Sequence, residues 1–560
     1  MRYLAALVSL CLALSGCGRP AVVAPPLTSG PTPSAAPSST PAIAPSSEGA
    51  LDPGSPVEDP VPFGATPPVA DSVAEQRSPL GWDDWNTYAA ALRPEAASQL
   101  DLKGGLTQYH LDLQLSPDLT KLNGQARIRY TNRENVPLDT IYLHLFPNLW
   151  DGGMTVSGVE VAGRPVTVTW PSQDILGLPL QEPLATGDTV DLSLDFEMAI
   201  PSGEGVGNYG EFAYQDGVLA MAHFYPTVVV YDEGGWRLET PSSQGDVIYH
   251  DASLYDVRLT APEDLVVVGT GAAPGPLGAA GAGGAGLGRQ ENGDGTATWR
   301  LAGGPMRDFN IVASRQYRSE SRTVSPPTGK GVGDVTVNSY FLPKHEAGGK
   351  KALEWAARAL DTYENAFGPY PYRELNVIET ATTAGGIEYP GMIVVASRLY
   401  DDPERQTFFE SATAHEVAHQ WWYNVVGNDQ LNNPWLDEAL AQYGTYLYYR
   451  DAYGEAGGEG FTDAMKERWA RVDYAKKPIG LPVEAYEGKE YGALVYGRGP
   501  LFLLALQEQI GEEKMKAFLQ QYYTEQAWDI ATPAEFQSLA EKVSGQDLDA
   551  LFAEWVYPVP

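Results

Sequence analysis

Two periods of apolar residues divide the chain. In the first half they alternate with polar ones: Tyr109, Leu111, Leu113 and Leu115 are separated by His110, Asp112 and Gln114, and Ala126, Ile128 and Tyr130 by Arg127 and Arg129. A period of two places every second side chain on one face, so each run predicts a half-buried β-strand. TIYLHLF, VTVTW, VDLSLDF and YDVRLT repeat the pattern, and the Asn123-Gly124 pair between the first two runs reads as a turn. Residues 105 to about 340 are therefore expected to form an antiparallel β-domain with one buried face. Within it, GTGAAPGPLGAAGAGGAGLGRQENGDG is a loop, since glycine and proline dominate. No residue of this region stands out as catalytic.

From His345 the period lengthens. KKALEWAARALDTYENAFG sets Leu353, Ala356, Ala357, Leu360 and Tyr363 along one stripe, the spacing of an amphipathic helix, and Gly368 with the PYPY that follows stops it. Two short apolar runs, ELNVIET and GMIVVAS, are expected as strands of a second, mixed sheet, and the chain from Phe408 onward as mainly helical. WDDWNTYAAALRP, ahead of the first strand, reads as a short helix. The expected architecture is α+β and multidomain, an N-terminal antiparallel β-domain over 81–343 followed by an α/β domain over 344–560.

The 560 residues are enough to bury two or three cores. Asp and Glu number 72 against 37 Lys and Arg, a net charge of -35, which argues against nucleic acid as a partner and mostly serves solubility.

The chain opens MRYLAALVSLCLALSGCG, in which Arg2 precedes an apolar run ending at Gly16, the length of an export signal. Leu14-Ser15-Gly16-Cys17 resembles the bacterial lipobox, which implies cleavage before Cys17 and acylation of that cysteine. A plain secretory signal cut elsewhere is the alternative. Several acyl chains would make a stable anchor where one holds only marginally. Cys11 lies inside the signal (1–17), so the mature chain would have no intramolecular disulfide. Residues 18–80 are rich in Pro, Ala, Ser and Thr and poor in large apolar residues, the composition of a disordered tether. The expected location is the bacterial cell envelope, with the protein exported and anchored to the lipid bilayer through Cys17.

The densest chemistry lies in AHEVAHQWWYNVVGNDQLNNPWLDEALAQY. On a helix His415 and His419 project from one face a turn apart, so two imidazoles can grip one cation, and zinc suits such ligands. Eighteen residues separate His419 from Glu438. That gap lets the helix end, a loop turn, and a second, antiparallel helix bring a third ligand back, leaving one position open for water. Glu416 points about 100 degrees around the helix from His415, beside the metal, where a carboxylate can act as general base. A helix pair that holds no metal is the bland alternative.

HEVAHQWW followed by WLDEALAQY resembles the HExxH-x18-E signature of the gluzincin zinc aminopeptidases of the aminopeptidase N type, whose common forms read HExxHQWFG and WLNEGFA. The resemblance implies one Zn2+ held by His415, His419 and Glu438, with Glu416 as general base. Upstream, Gly385-Gly386-Ile387-Glu388-Tyr389 is similar to the family's GxMEN, which makes Glu388, with Gly385 and Gly386, the place for the substrate's α-amino group; Ile387 replaces the methionine and Tyr389 the asparagine. Tyr496-Gly497-Arg498-Gly499 resembles the family's Y-x-K-G, whose tyrosine steadies the oxyanion. The resemblance implies a thermolysin-like fold for the catalytic domain. The final EFQSLAEKVSGQDLDALFAEWVYPVP looks like the close of that domain, the pattern of a short form without the family's large helical C-terminal domain, and hence of a more open cleft.

The function expected is a zinc-dependent peptide hydrolase, an aminopeptidase releasing N-terminal residues by attack of a zinc-bound water. Two alternatives stand beside it: an endopeptidase or other hydrolase with the same centre, and a non-catalytic zinc-binding lipoprotein.

Overall fold

Alternation is realised in β1 (Gln108–Leu115) and β2 (Lys121–Thr131), whose apolar side chains are buried on one side of an eight-stranded sheet. The computed structural model describes residues 82, 85–98, 100, 105–150, 152–203, 209–240, 245, 248–271, 287–325, 333–403 and 407–558. The expected signal segment, Cys17, the 18–80 tether and most of the glycine-rich loop lie outside these residues.

β1 and β2 are antiparallel, with Leu111 opposite Ala126. Their turn is not Asn123-Gly124, which lies inside β2 opposite Gln114 and Leu113. The chain reverses over residues 116–120 instead, where Ser116 Oγ accepts from the Thr120 and Lys121 N–H groups at 3.1 and 2.9 Å and Leu119 takes φ 62. Gly124 serves packing: a Cβ there would lie 2.1 Å from Phe196 Cζ. The sheet also departs from the antiparallel expectation at one pairing. β1 runs parallel to β3 (Ser253–Pro262), Tyr109 opposite Tyr255, because the long chain between β2 and β3 supplies the crossover a parallel neighbour needs.

The second sheet is mixed, as expected, in the order β4 (Arg318–Val324), β5 (Val335–Phe341), β6 (Glu374–Thr380), β8 (Met392–Ala396), β7 (Gly386–Ile387). The β5–β6 and β6–β8 pairs are parallel and the outer pairs antiparallel. The boundary expected at 343/344 therefore needs correcting, because β4 and β5 precede it yet belong to this sheet. β6 is buried along nearly its whole length, so its backbone groups need ladder partners on both sides, and β5 supplies one of them.

α1 (Glu346–Ala366) and α2 (Thr407–Ala418) pack on this sheet; α3 (Trp435–Tyr453), α4 (Glu455–Trp469) and α5 (Gly499–Ile510) follow, and three more helices run through to Trp555. One hydrophobic cluster runs through both halves, from Leu111 to Phe552.

A buried arginine ties the two halves together. Arg307, 1 % exposed, donates from Nε to Tyr423 O at 2.6 Å and from Nη2 to Asp529 O at 2.6 Å and Val425 O at 3.3 Å. Nη1 donates to His250 O at 3.0 Å. Gly427 admits the guanidinium, since a Cβ there would stand 2.1 Å from Arg307 Cζ. Five rigid donors in one plane fit several carbonyls as a lysine ammonium cannot. We expect Arg307→Lys to lower stability by about 1–3 kcal/mol, because it leaves buried carbonyls without donors. Arg307→Ala should cost more, and both effects are measurable by urea denaturation of the folded chain.

Candidate functional site

α2 delivers His415 and Glu416 in its last turn and ends at Ala418, so His419 lies just beyond the helix and not within it. It keeps the helical spacing because its N–H still donates to His415 O, at 3.3 Å. The chain then loops through two buried tryptophans, Trp421 and Trp422, and re-enters a helix at Trp435, which places Asp437 and Glu438 in the first turn of α3. Carboxylates are stabilised there by the positive end of the helix dipole.

This folding brings three ligand atoms together. Glu438 Oε2 lies 3.1 Å from His415 Nε2 and 3.5 Å from His419 Nε2, and the two Nε2 atoms are 3.2 Å apart. Ligands about 2 Å from a tetrahedral zinc are separated by about 3.4 Å, so the triangle fits that ion. The orientation of His419 agrees: its Nδ1 is 2.9 Å from Trp422 O, so that nitrogen carries the proton and Nε2 keeps its lone pair for a cation. Glu438 is almost wholly buried. Burial works against its charge, but the adjacent imidazoles of His415 and His419 outweigh it and hold the carboxyl well below the usual range.

Glu416 lies against the edge strand β7. A Cβ on Gly386 would be 2.5 Å from Glu416 Cγ and 2.6 Å from its Oε1, so only glycine lets the carboxylate sit there. Burial, then the negative charges of Glu388 and Glu438, push Glu416 well above the ordinary carboxylate range. Gly385, the other predicted glycine, packs on the Phe408 ring and its carbonyl accepts from Ala396 N at 3.2 Å.

Glu388 follows β7 and is buried, with its carboxylate within 4.8 Å of ligand atoms on His419 and Asp437. Gln430 Nε2 donates to Glu388 Oε1 at 3.3 Å and to Asp437 Oδ2 at 2.6 Å, holding the two acids side by side. The backbone of this segment is clamped from the loop after α2. Gln420 Nε2 donates to Tyr389 O at 3.0 Å, its Oε1 accepts from Gly391 N at 2.8 Å, and Asn424 Nδ2 donates to Glu388 O at 3.1 Å.

Tyr496 lies in a π-helical turn, Leu494–Arg498, and its hydroxyl donates to Glu438 Oε1. Wide turns of this kind are common at functional sites. The Arg468 guanidinium lies over the Tyr496 ring, 5.2 Å from its centroid, and Tyr491 packs edge-on at 5.6 Å. Arg498 does not enter the site. Its guanidinium donates to the carbonyls of Lys477, Trp555 and Glu554 and so fixes the turn from behind.

All six polar side chains singled out in the sequence thus converge. Gln420, Asn424, Gln430, Asp437 and Arg468 were not foreseen. Asp437 carried a signal, standing where the form WLNEGFA has asparagine; the others carry no local pattern.

Residues 351–555 match the Peptidase family M1 domain. Aminopeptidase M1 of Arabidopsis thaliana is 27% identical over 228 residues, covering 38% of this chain and 26% of that protein. Aminopeptidase N of Lactococcus lactis subsp. lactis is 26% identical over 251 residues, covering 41% and 30%. The chain spans between about a quarter and a third of the length of the curated relatives it matches. The crystal structure of an M1 zinc metallopeptidase from Deinococcus radiodurans superposes with a TM-score of 0.60 at 20% identity, covering 81% of this chain and 94% of that one, a likeness of fold. A variant of the same enzyme was solved with a Tyr-Ser-Ala substrate.

The contact between Gly386 and Glu416 is open to test. We expect Gly386→Ala to push the Glu416 carboxylate aside by the order of 1 Å and to lower any hydrolytic kcat by roughly 10²-fold. Metal content should stay that of the parent, because the three atoms nearest the added Cβ all belong to Glu416 and not to a metal-competent side chain.

Proposed function

We propose, from a region, residues 351–555, that matches the Peptidase family M1 domain, that this protein is a zinc-dependent aminopeptidase, exported and held to a bacterial membrane through an acylated Cys17. The observation that carries the enzymatic part is the triangle of His415 Nε2, His419 Nε2 and Glu438 Oε2, with sides of 3.1 to 3.5 Å, beside the buried carboxylate of Glu416. Zinc held in that cradle would supply Lewis acidity to a water and to the scissile carbonyl.

The rest falls to the protein's own groups. Glu416 accepts the proton of the attacking water on its carboxylate and passes it to the nitrogen of the leaving amine. Tyr496 donates its phenolic hydrogen to the oxygen on which negative charge develops, exchanging its present acceptor, Glu438 Oε1. A phenol does this without placing a second cation in the site.

Glu388 and Asp437, held together by Gln430, form a buried pair of acids at the end of the site. An ammonium group is their natural counter-ion, and pairing with it fixes the first peptide bond over Glu416. This favours release of N-terminal residues over internal cleavage. Support for the anchor comes from the sequence: Arg2 and the apolar run, the lipobox-like Leu14-Ser15-Gly16-Cys17, and the polar composition of residues 18–80.

Glu416→Gln should keep zinc near one ion per peptidase centre and lose between about 10² and 10⁴ in kcat. A chelator should abolish hydrolysis and added zinc restore it. Peptides with a free amino terminus should be cut and their N-acetylated forms left intact; equal cleavage of both sinks the aminopeptidase reading and leaves an endopeptidase.

The anchor has its own measurement. In a bacterial host, labelled fatty acid should enter the parent chain, and Cys17→Ser should abolish the labelling and move the protein out of the detergent phase.

A further inference from the structure

A second group of metal-competent side chains lies buried in the β-rich half. His223, His250 and Asp308 each offer a ligand atom within 4.8 Å of the others, and none is more than 3 % exposed. They come from separate segments: His223 just past the strand Val218–Met221, His250 just ahead of β3, and Asp308 between the strands Thr296–Met306 and Ile311–Ser314. His144 and Glu211 lie close by, the latter with Oε2 3.4 Å from His223 Nε2. Three of the protein's seven histidines are therefore gathered in one interior polar cluster.

Hydrogen bonding does not account for it. Both ring nitrogens of His250, both of His223, and Asp308 Oδ2 are buried without a hydrogen bond of good geometry. His223 Nδ1 and Asp308 Oδ2 stand 2.7 Å apart as a charge contact. The other carboxylate oxygen is fixed: Asp308 Oδ1 accepts from Tyr225 Oη at 3.1 Å and from Phe309 N at 2.7 Å, which aims Oδ2 at the imidazoles. His223 also holds a left-handed backbone, φ 51. Buried imidazoles with unsatisfied nitrogens are uncommon in folded proteins, and each calls for an explanation.

We propose that His223, His250 and Asp308 bind a second divalent ion of the zinc class, separate from the one at His415, His419 and Glu438. Two imidazole nitrogens and one carboxylate oxygen are a donor set that borderline ions prefer. Ligands of such an ion stand about 3.4 Å apart, so modest side-chain rotations close the present spacing. The ion would act structurally, stapling three segments of the β-rich half behind the amine-binding acids. The His223 ring packs edge-on against Tyr389 at 6.2 Å, and Tyr389 directly follows Glu388. Deep burial means that the ion enters as the chain folds and leaves slowly.

Zinc is counted by elemental analysis on the full chain after passage over a chelating resin. The parent should carry two ions, the double variant His415→Ala/His419→Ala one, and that variant with His250→Ala added none. If the His250→Ala chain does not fold, the count on the double variant decides alone. Cobalt introduced by refolding the double variant should give the visible absorption of a low-coordinate Co2+ site. A parent with one ion and a double variant with none overturns the proposal. A parent with one ion that survives His415→Ala/His419→Ala upholds it and removes the peptidase centre instead, so the two readings fail separately.

Discussion

Buried negative charge is the constraint around which the site is organised. Glu388, Glu416, Asp437 and Glu438 are all less than a tenth exposed and surround the two imidazoles of His415 and His419. Water cannot screen them there, and like charges at such range are costly in a medium of low polarity. The result is a division of roles. Glu438 stays ionised because two histidines bond it, whereas burial and then the neighbouring Glu438 lift Asp437 to about 7. A cavity so charged calls for cations, which is the physical ground of the metal and the ammonium proposed above.

The rest of the C-terminal half holds these groups where they would not stay unaided. The loop after α2 leaves the helix at Ala418, and Gln420 and Asn424 then clamp the backbone of residues 388–391. Arg307 reaches across from the β-rich half and grips the same loop through the carbonyls of Tyr423 and Val425. Behind Tyr496, Arg498 ties the π-helical turn to the final helix. The β-rich half is therefore more than a spacer, because its buried guanidinium helps set the position of the loop that carries His419.

The two strongest patterns in the sequence translate directly into structure because they are local. A period of two or of 3.6 needs only neighbours along the chain, so the strands around Leu111 and Ile128 and the helix over Glu346–Ala366 appear where expected. The pairing of His415 with His419 is of the same kind. Glu438 is signalled by its gap after His419, and Glu388 and Tyr496 by resemblance to short motifs; their convergence depends on where α3, the edge strand β7 and the π-helical turn are placed.

Packing overruled local signals elsewhere. Asn123-Gly124 carries a strong turn signature, but the glycine is used to make room for Phe196 within a strand. The parallel seating of β1 beside β3, and the membership of β4 and β5 in the catalytic sheet, follow from which edges remained to be covered. Gln430, Arg468, Arg307 and the cluster of His223, His250 and Asp308 act through contacts between residues distant in the chain. Such contacts leave no period or fixed spacing behind, since the groups that meet are chosen by the fold's geometry and not by their order along the backbone.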